Sequence, residues 1–102
     1  MLIKIKNYLV EFLPTSDESK KKYKVVIYNE EGYKIKTLQF GDKAYEQYED
    51  ITPLKLYSDM DHKDSERRYQ YRQRHSKILK KDRKPAYKDP LKPAFYSWNF
   101  LW

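Results

Sequence analysis

Residues 23–40 constrain the fold more than any other stretch. The run Tyr23-Lys-Val-Val-Ile-Tyr28 is rich in β-branched and aromatic side chains. Asn29-Glu-Glu-Gly32 follows, with turn-forming residues and a glycine where a hairpin backbone needs a positive φ. Residues 33–40 then alternate. Tyr33, Ile35, Thr37 and Gln39 point one way, and Lys34, Lys36, Leu38 and Phe40 the other. The apolar parity is imperfect, which predicts a bulge or a change of buried face near Thr37. Residues 2–13 read as one further strand, with Ile3 and Ile5 alternating with Lys4 and Lys6, and Pro14 ends it. Thr15 to Lys22 reads as an exposed loop. The expectation is therefore an α+β fold. Its core is a small three-stranded antiparallel sheet, made of the hairpin 23–40 joined by strand 2–13. A basic helix and an aromatic C-terminal segment follow.

Beyond the sheet, Gly41 is expected to break the strand and Asp42 to cap a short helix, Lys43–Glu49, with Tyr45 and Tyr48 on one face. Thr52-Pro53 stops that helix. Residues 53–63 look irregular, with Leu54, Leu56 and Tyr57 available to tuck under the sheet. Residues 64–81 contain no helix breaker, and Asp64 or Ser65 caps them while Glu66 suits the helix dipole. At helical spacing Arg67, Tyr71, Arg74 and Ile78 form one stripe, and Arg68, Arg72, His75 and Leu79 its neighbour. This predicts a helix anchored by Tyr71, Ile78 and Leu79 with its arginines reaching outward. Residues 82–93 place Pro85, Pro90 and Pro93 among lysines, the composition of a connector. Residues 94–102 are the least polar part, and a short helix there puts Phe95, Trp98, Leu101 and Trp102 on one side.

The length of 102 residues fits one domain spanning 1–102. Hydrophobic residues make up 39% and charged residues 36%, so the interior has few aliphatic side chains to fill it and leans on aromatics, which are 17% of the chain. There is no Cys, which excludes disulfides and thiolate metal sites. No apolar run approaches the ~18 residues of a membrane span, and the short, lysine-interrupted start is a poor signal peptide. The chain thus reads as soluble, not exported, and without a membrane partner. The net charge of +7 is concentrated: residues 61–90 hold eleven Lys/Arg against five Asp/Glu, whereas residues 1–60 hold ten of each. Such a block is either a solvated helix face or a footprint for an anionic partner.

Catalytic options are poor. Asp59, Asp61 and His62 lie close in sequence, but nothing in the pattern fixes a metal-binding geometry. No G-x-S-x-G turn is present, and Gly32 and Gly41 are the only glycines, so there is no phosphate-cradling glycine loop. The reading is a non-enzyme with no cofactor and no metal. Two groups of residues remain as candidates for binding. Arg67, Arg68, Tyr71, Arg72, Arg74 and His75 interleave guanidinium forks with rings, which suits phosphates, carboxylates or stacked bases. Phe95, Tyr96, Trp98, Leu101 and Trp102 either complete the core or anchor the chain on a neighbouring protein.

Several of these features occur in a fixed order: Phe40-Gly41, then Tyr45 and Tyr48, then His62-Lys63-Asp64 with Arg67 or Arg68, Tyr71 and Arg74-His75, and finally Phe95-Tyr96-Ser97-Trp98 with Leu101-Trp102. Across residues 23–102 this order resembles a family of small basic proteins, of unassigned biochemical function, encoded by tailed phages and large nucleocytoplasmic DNA viruses. The chain departs from that pattern at Lys43-Ala44-Tyr45, where the family often has a second glycine. The resemblance implies a viral origin and a place in the virion, with host cytoplasm or nucleus as the site of assembly. It supplies no catalytic residues. The expected function is a minor capsid component that binds capsid or other virion proteins through the basic helix and the aromatic tail. The alternative is an accessory protein that holds DNA or RNA phosphates with the Arg/Tyr helix.

Overall fold

Lys6 divides what reads as a single strand. Its φ of 53° turns the chain back on itself, so residues 2–14 form a hairpin of β1 (Leu2–Ile5) and β2 (Tyr8–Pro14). The computed structural model describes residues 2–102. β2 pairs with β3 (Lys21–Tyr28), and β3 with β4 (Lys34–Asp42), in an antiparallel meander of order β1-β2-β3-β4. The fold is α+β as expected, but the sheet has four strands rather than three. The extra strand comes from the Lys6-Asn7 turn, which carries no glycine or proline to announce it.

The 29–32 turn forms as the sequence predicts. Gly32 takes a φ of 91°, the Asn29 side-chain oxygen accepts from the Tyr33 N–H, and the Asn29 N–H donates to the Tyr33 carbonyl. The expected bulge lies earlier than Thr37. Ile27 pairs with Lys36 and Tyr28 with Lys34, so Ile35 is the extra residue. The bulge puts Lys36, Leu38 and Phe40 on the inner face. β4 also runs through Gly41 to Asp42 rather than breaking at the glycine.

One face of the sheet carries Val10 and Phe12 of β2, Tyr23, Val25 and Ile27 of β3, and Leu38 and Phe40 of β4. Register sets these side by side: Val10 faces Ile27, Phe12 faces Val25, Val25 faces Leu38 and Tyr23 faces Phe40. The C-terminal helix α2 (Pro93–Phe100) closes over this face. Pro93 occupies its first turn, where a missing N–H costs nothing. Tyr96 and Leu101 are fully buried against the sheet, and Phe95, Phe100 and Trp102 pack around them. Phe12 meets the rings of Phe40, Tyr96 and Phe100 edge-on at 6.3, 6.1 and 4.9 Å. Aromatic contacts thus supply the cohesion that aliphatic residues would otherwise give.

Between β4 and the next helix the expected helix 43–49 is absent. The backbone there bonds to distant partners instead. Gln47 N–H donates to the Met60 carbonyl, and His62 and Lys63 N–H donate to Gln47 and Tyr48 carbonyls. Glu49 and Ile51 N–H donate to the Leu101 and Phe100 carbonyls. A backbone clamped from two sides cannot also close i to i+4 bonds. Leu54 and Tyr57 do pack under the sheet, while Leu56 stays exposed.

A buried polar cluster holds this segment. The Tyr23 hydroxyl donates to an Asp50 carboxylate oxygen that also accepts from the Tyr57 N–H. The other Asp50 oxygen accepts from the N–H and hydroxyl of Thr52 at 3.0 and 2.6 Å. Lys22, expected in an exposed loop, is buried in β3, and its ammonium donates to the Tyr45 carbonyl at 2.6 Å and to the Gln47 side-chain oxygen. Gln47 in turn donates to the Tyr57 carbonyl and to Asp61, both at 2.7 Å. Burial without partners would be costly for each of these groups, and here each has them.

Helix α1 (Ser65–His75) begins where the sequence places it. The Asp64 carboxylate accepts from the Glu66 and Arg67 N–H groups. It ends six residues before Lys81. Lys80 N–H donates to the Lys84 carbonyl, Ala86 N–H to the Ile78 carbonyl, and Leu79 bridges Pro85, so residues 78–86 close a small loop. Lys80 Nζ secures it on Asp89 at 2.8 Å. Ile78 and Leu79 therefore do not anchor the helix. They stand 47% and 53% exposed. Residues 82–93 include a 310 turn, Ala86–Lys88, and bury Ala86 and Pro90.

Candidate partner-binding surface

The six residues singled out on α1 divide into three roles. Arg68 and Arg72, one turn apart, face inward rather than outward. Arg68 Nε donates to the backbone oxygen of Trp102 at 2.7 Å, and Arg72 reaches the same oxygen through Nε at 3.2 Å and Nη2 at 3.1 Å. The Arg68 guanidinium lies over the Tyr48 ring at 4.7 Å, and that of Arg72 over the Trp98 ring at 4.8 Å. These two arginines tie α1 to the end of the chain. Burial opposes the charge of Arg72, and the neighbouring Arg68 adds to that opposition.

Tyr71 is the buried residue of α1. Its ring is stacked on His75 at 3.9 Å on the helix and on Trp102 at 4.3 Å, with interplanar angles of 19° and 5°. Burial pushes the Tyr71 hydroxyl up to about 12. Burial, with Arg74 next to it, holds His75 below its ordinary range. Tyr71 and His75 thus act in packing.

Arg67 and Arg74 remain at the surface. Arg67 pairs with Glu46 at 3.2 Å across solvent, an interaction worth at most about 1 kcal/mol. Arg74 makes no hydrogen bond or ion pair with its side chain among the described residues.

The aromatic segment is also reassigned in part. Tyr96 and Leu101 are interior and cannot anchor the chain on a partner; the Tyr96 hydroxyl donates to the buried Pro90 carbonyl at 2.7 Å. Trp98 stacks on Tyr87 at 3.9 Å, and Trp102 sits between Tyr71 and His62. Phe95, Trp98 and Trp102 are half-buried.

The surface that does stand free is the loop after α1. Lys77, Lys81, Arg83 and Lys84 are exposed and have no side-chain partner among the described residues, with Ile78 and Leu79 among them. The sequence places Lys77 to Lys81 on the helix 64–81 and Arg83 and Lys84 in the connector 82–93. Asp61 and His62 are held by other bonds. One Asp61 oxygen accepts from Gln47 and from the Asp50 N–H, and His62 Nδ1 accepts from the Asp64 N–H. Among the described residues no group of three or more His, Cys, Asp or Glu converges to hold a metal ion. No helix among them is long and apolar enough to cross a membrane.

A separate cleft of about 510 Å3 opens between the Lys21 and Asp42 end of the sheet and the Arg67–His75 side of α1. Comparison with protein-family models, curated proteins and solved structures yields no match.

Proposed function

We propose that this chain is a non-catalytic, minor structural component of a virus particle, docking on a larger virion protein with an acidic and partly apolar surface. One observation carries the docking reading: Ile78 and Leu79 stand exposed in a loop that also carries the exposed Lys77, Lys81, Arg83 and Lys84, which have no side-chain partner among the described residues. Apolar tips in a cationic loop suit a protein groove edged with carboxylates. They contribute nothing to a phosphate backbone. The viral setting rests on the motif order from Phe40-Gly41 to Leu101-Trp102.

Mass spectrometry of purified particles, with cross-linking from Lys81 or Lys84, tests this. The expected result is the chain in the particle with cross-links to one larger protein. Its absence from particles ends the reading.

A second reading has one observation in its favour. Arg74, Lys77, Lys81, Arg83 and Lys84 are five exposed cations, without a side-chain partner among the described residues, that follow one another along the end of α1 and its loop. Binding through five phosphates of a duplex gives a log–log salt slope of about −4.5. Failure to retain DNA at ~50 mM salt removes this alternative.

A further inference from the structure

We propose that the cleft beside α1 binds a small organic phosphate carrying a planar ring, the chemistry of a mononucleotide. None of its lining residues belongs to the 77–84 loop, so the proposal stands apart from the docking reading.

The cleft's volume of about 510 Å3 falls within the ~300–1,000 Å3 typical of small-molecule sites. Its charge balance favours an anion. Lys21 from β3 and Arg67 and Arg74 from α1 line it, against the carboxylates of Asp42 and Glu46. Glu46 is bound to Arg67 at 3.2 Å, and Asp42 accepts from the Ala44 N–H at 2.8 Å. Among the described residues Lys21 and Arg74 meet no carboxylate. Two unpaired cations therefore come from two different elements to one concave surface, where low-dielectric walls strengthen their field. Lys22 also lines the cleft, but its ammonium is directed to Tyr45 and Gln47 and plays no part.

The ring requirement comes from Tyr45. Its side chain lines the cleft, is 68% exposed and makes no stacking contact. The other cleft aromatics, Tyr71, His75 and Trp102, are already stacked on one another and form a rigid wall. A free tyrosine face in the same cleft as an unpaired arginine suits a ligand that is flat at one end and doubly charged at the other. A phosphate monoester supplies that double charge and enough oxygens to meet both Arg74 and Lys21.

The test is calorimetric titration of the full chain at low ionic strength with adenosine 5′-monophosphate. Adenosine and inorganic phosphate serve as separate arms, and amide chemical shifts locate the ligand. The expected result is saturable binding of the nucleotide, weaker binding of either half, and shifts at Tyr45, Arg74 and Trp102. Arg74→Ala and Tyr45→Ala each weaken binding about tenfold or more, whereas Lys34→Ala, exposed on β4 and outside the cleft, leaves it unchanged. No saturable binding overturns the proposal. So does phosphate binding as tightly as the nucleotide, or shifts confined to residues 77–84. The shift map is read on the unsubstituted chain, so the result does not depend on how any variant folds.

Discussion

Arg72 and Trp102 are joined by a forked pair of hydrogen bonds, from Nε at 3.2 Å and Nη2 at 3.1 Å to one backbone oxygen. The same guanidinium covers Trp98, so a single side chain fixes α1, α2 and the chain's last residue together. Arg72→Ala is expected to destabilise the fold by about 2–3 kcal/mol, as a charged hydrogen bond and a cation–ring contact are lost together. Arg72→Lys recovers only part of this, since an ammonium cannot fork. Urea unfolding measures both. A change under about 0.5 kcal/mol for the alanine variant, the range of ordinary surface substitutions, refutes the anchoring role.

The Asp50 carboxylate accepts four hydrogen bonds, from Tyr23, Tyr57 and twice from Thr52. Asp50→Asn replaces one acceptor oxygen with an NH2 group that faces donors. The expected cost is about 3 kcal/mol. Amide exchange over residues 50–61 should accelerate more than exchange in β3. Uniform acceleration throughout the chain contradicts a local clamp.

Acid should weaken the fold through both histidines. His62 Nδ1 accepts from the Asp64 N–H at 2.9 Å, and its buried Nε2 has no partner among the described residues. Burial and then Arg67 push His62 down, with Asp64, Glu46 and Asp61 pulling the other way. His75 is pushed down by burial and Arg74. The unfolded chain takes up protons near the ordinary value of 6.5, while the folded chain resists until the pH is lower. Stability is therefore full above that value and falls as pH drops through it toward the depressed folded values. The urea midpoint is expected to fall between about pH 7 and pH 5, and imidazole proton titrations should report both histidines below their unfolded range. A flat midpoint over that window contradicts the assignment.

Gly41 has no room for a side chain. A Cβ there would lie 3.0 Å from Leu101 Cδ1 and 3.1 Å from Lys22 Cβ, at a φ of +76°. Gly41→Ala combines backbone strain with overpacking, and about 2–4 kcal/mol of destabilisation is expected in thermal or urea melts. Deleting residues 94–102 is expected to unfold the chain outright, because Tyr96 and Leu101 are core. A folded remainder by circular dichroism contradicts that placement.

The docking surface has its own signature. Ile78→Ser with Leu79→Ser removes apolar side chains that are exposed and outside the core, so the melting temperature should hold within the small range of surface substitutions. Incorporation into particles is expected to drop. Unchanged incorporation argues against this loop as the contact.

What the sequence made legible is what depends on near neighbours. The 23–40 hairpin, its glycine turn and the Asp64 cap are each determined within a few residues. What it concealed depends on distance. Lys6, a lysine with φ 53°, gives no local sign of a turn. The 43–49 segment has helical composition, yet its backbone bonds reach residues 60 and 101. The arginines of α1 stand out in the sequence as an Arg/Tyr run. Their roles depend on Trp102, which lies 34 and 30 positions from Arg68 and Arg72, and no helical-face argument reaches that far. Composition indicates that aromatics must fill the core, and that alone leaves the terminal segment open to either role, core or anchor.

The meander has a consequence for the order in which the molecule assembles. Each strand pairs with the one before it, so the residues of every ladder are present once Asp42 has been made. The oxygen that receives Arg68 and Arg72 belongs to Trp102, and the sheet's inner face is covered by Tyr96 and Leu101. A chain still short of these residues has its strands but neither its core nor the acceptor for its two inward arginines. Through that interval Arg68 and Arg72 are open to any acidic surface nearby, and the arrival of Trp102 withdraws them while the 77–84 cations stay free.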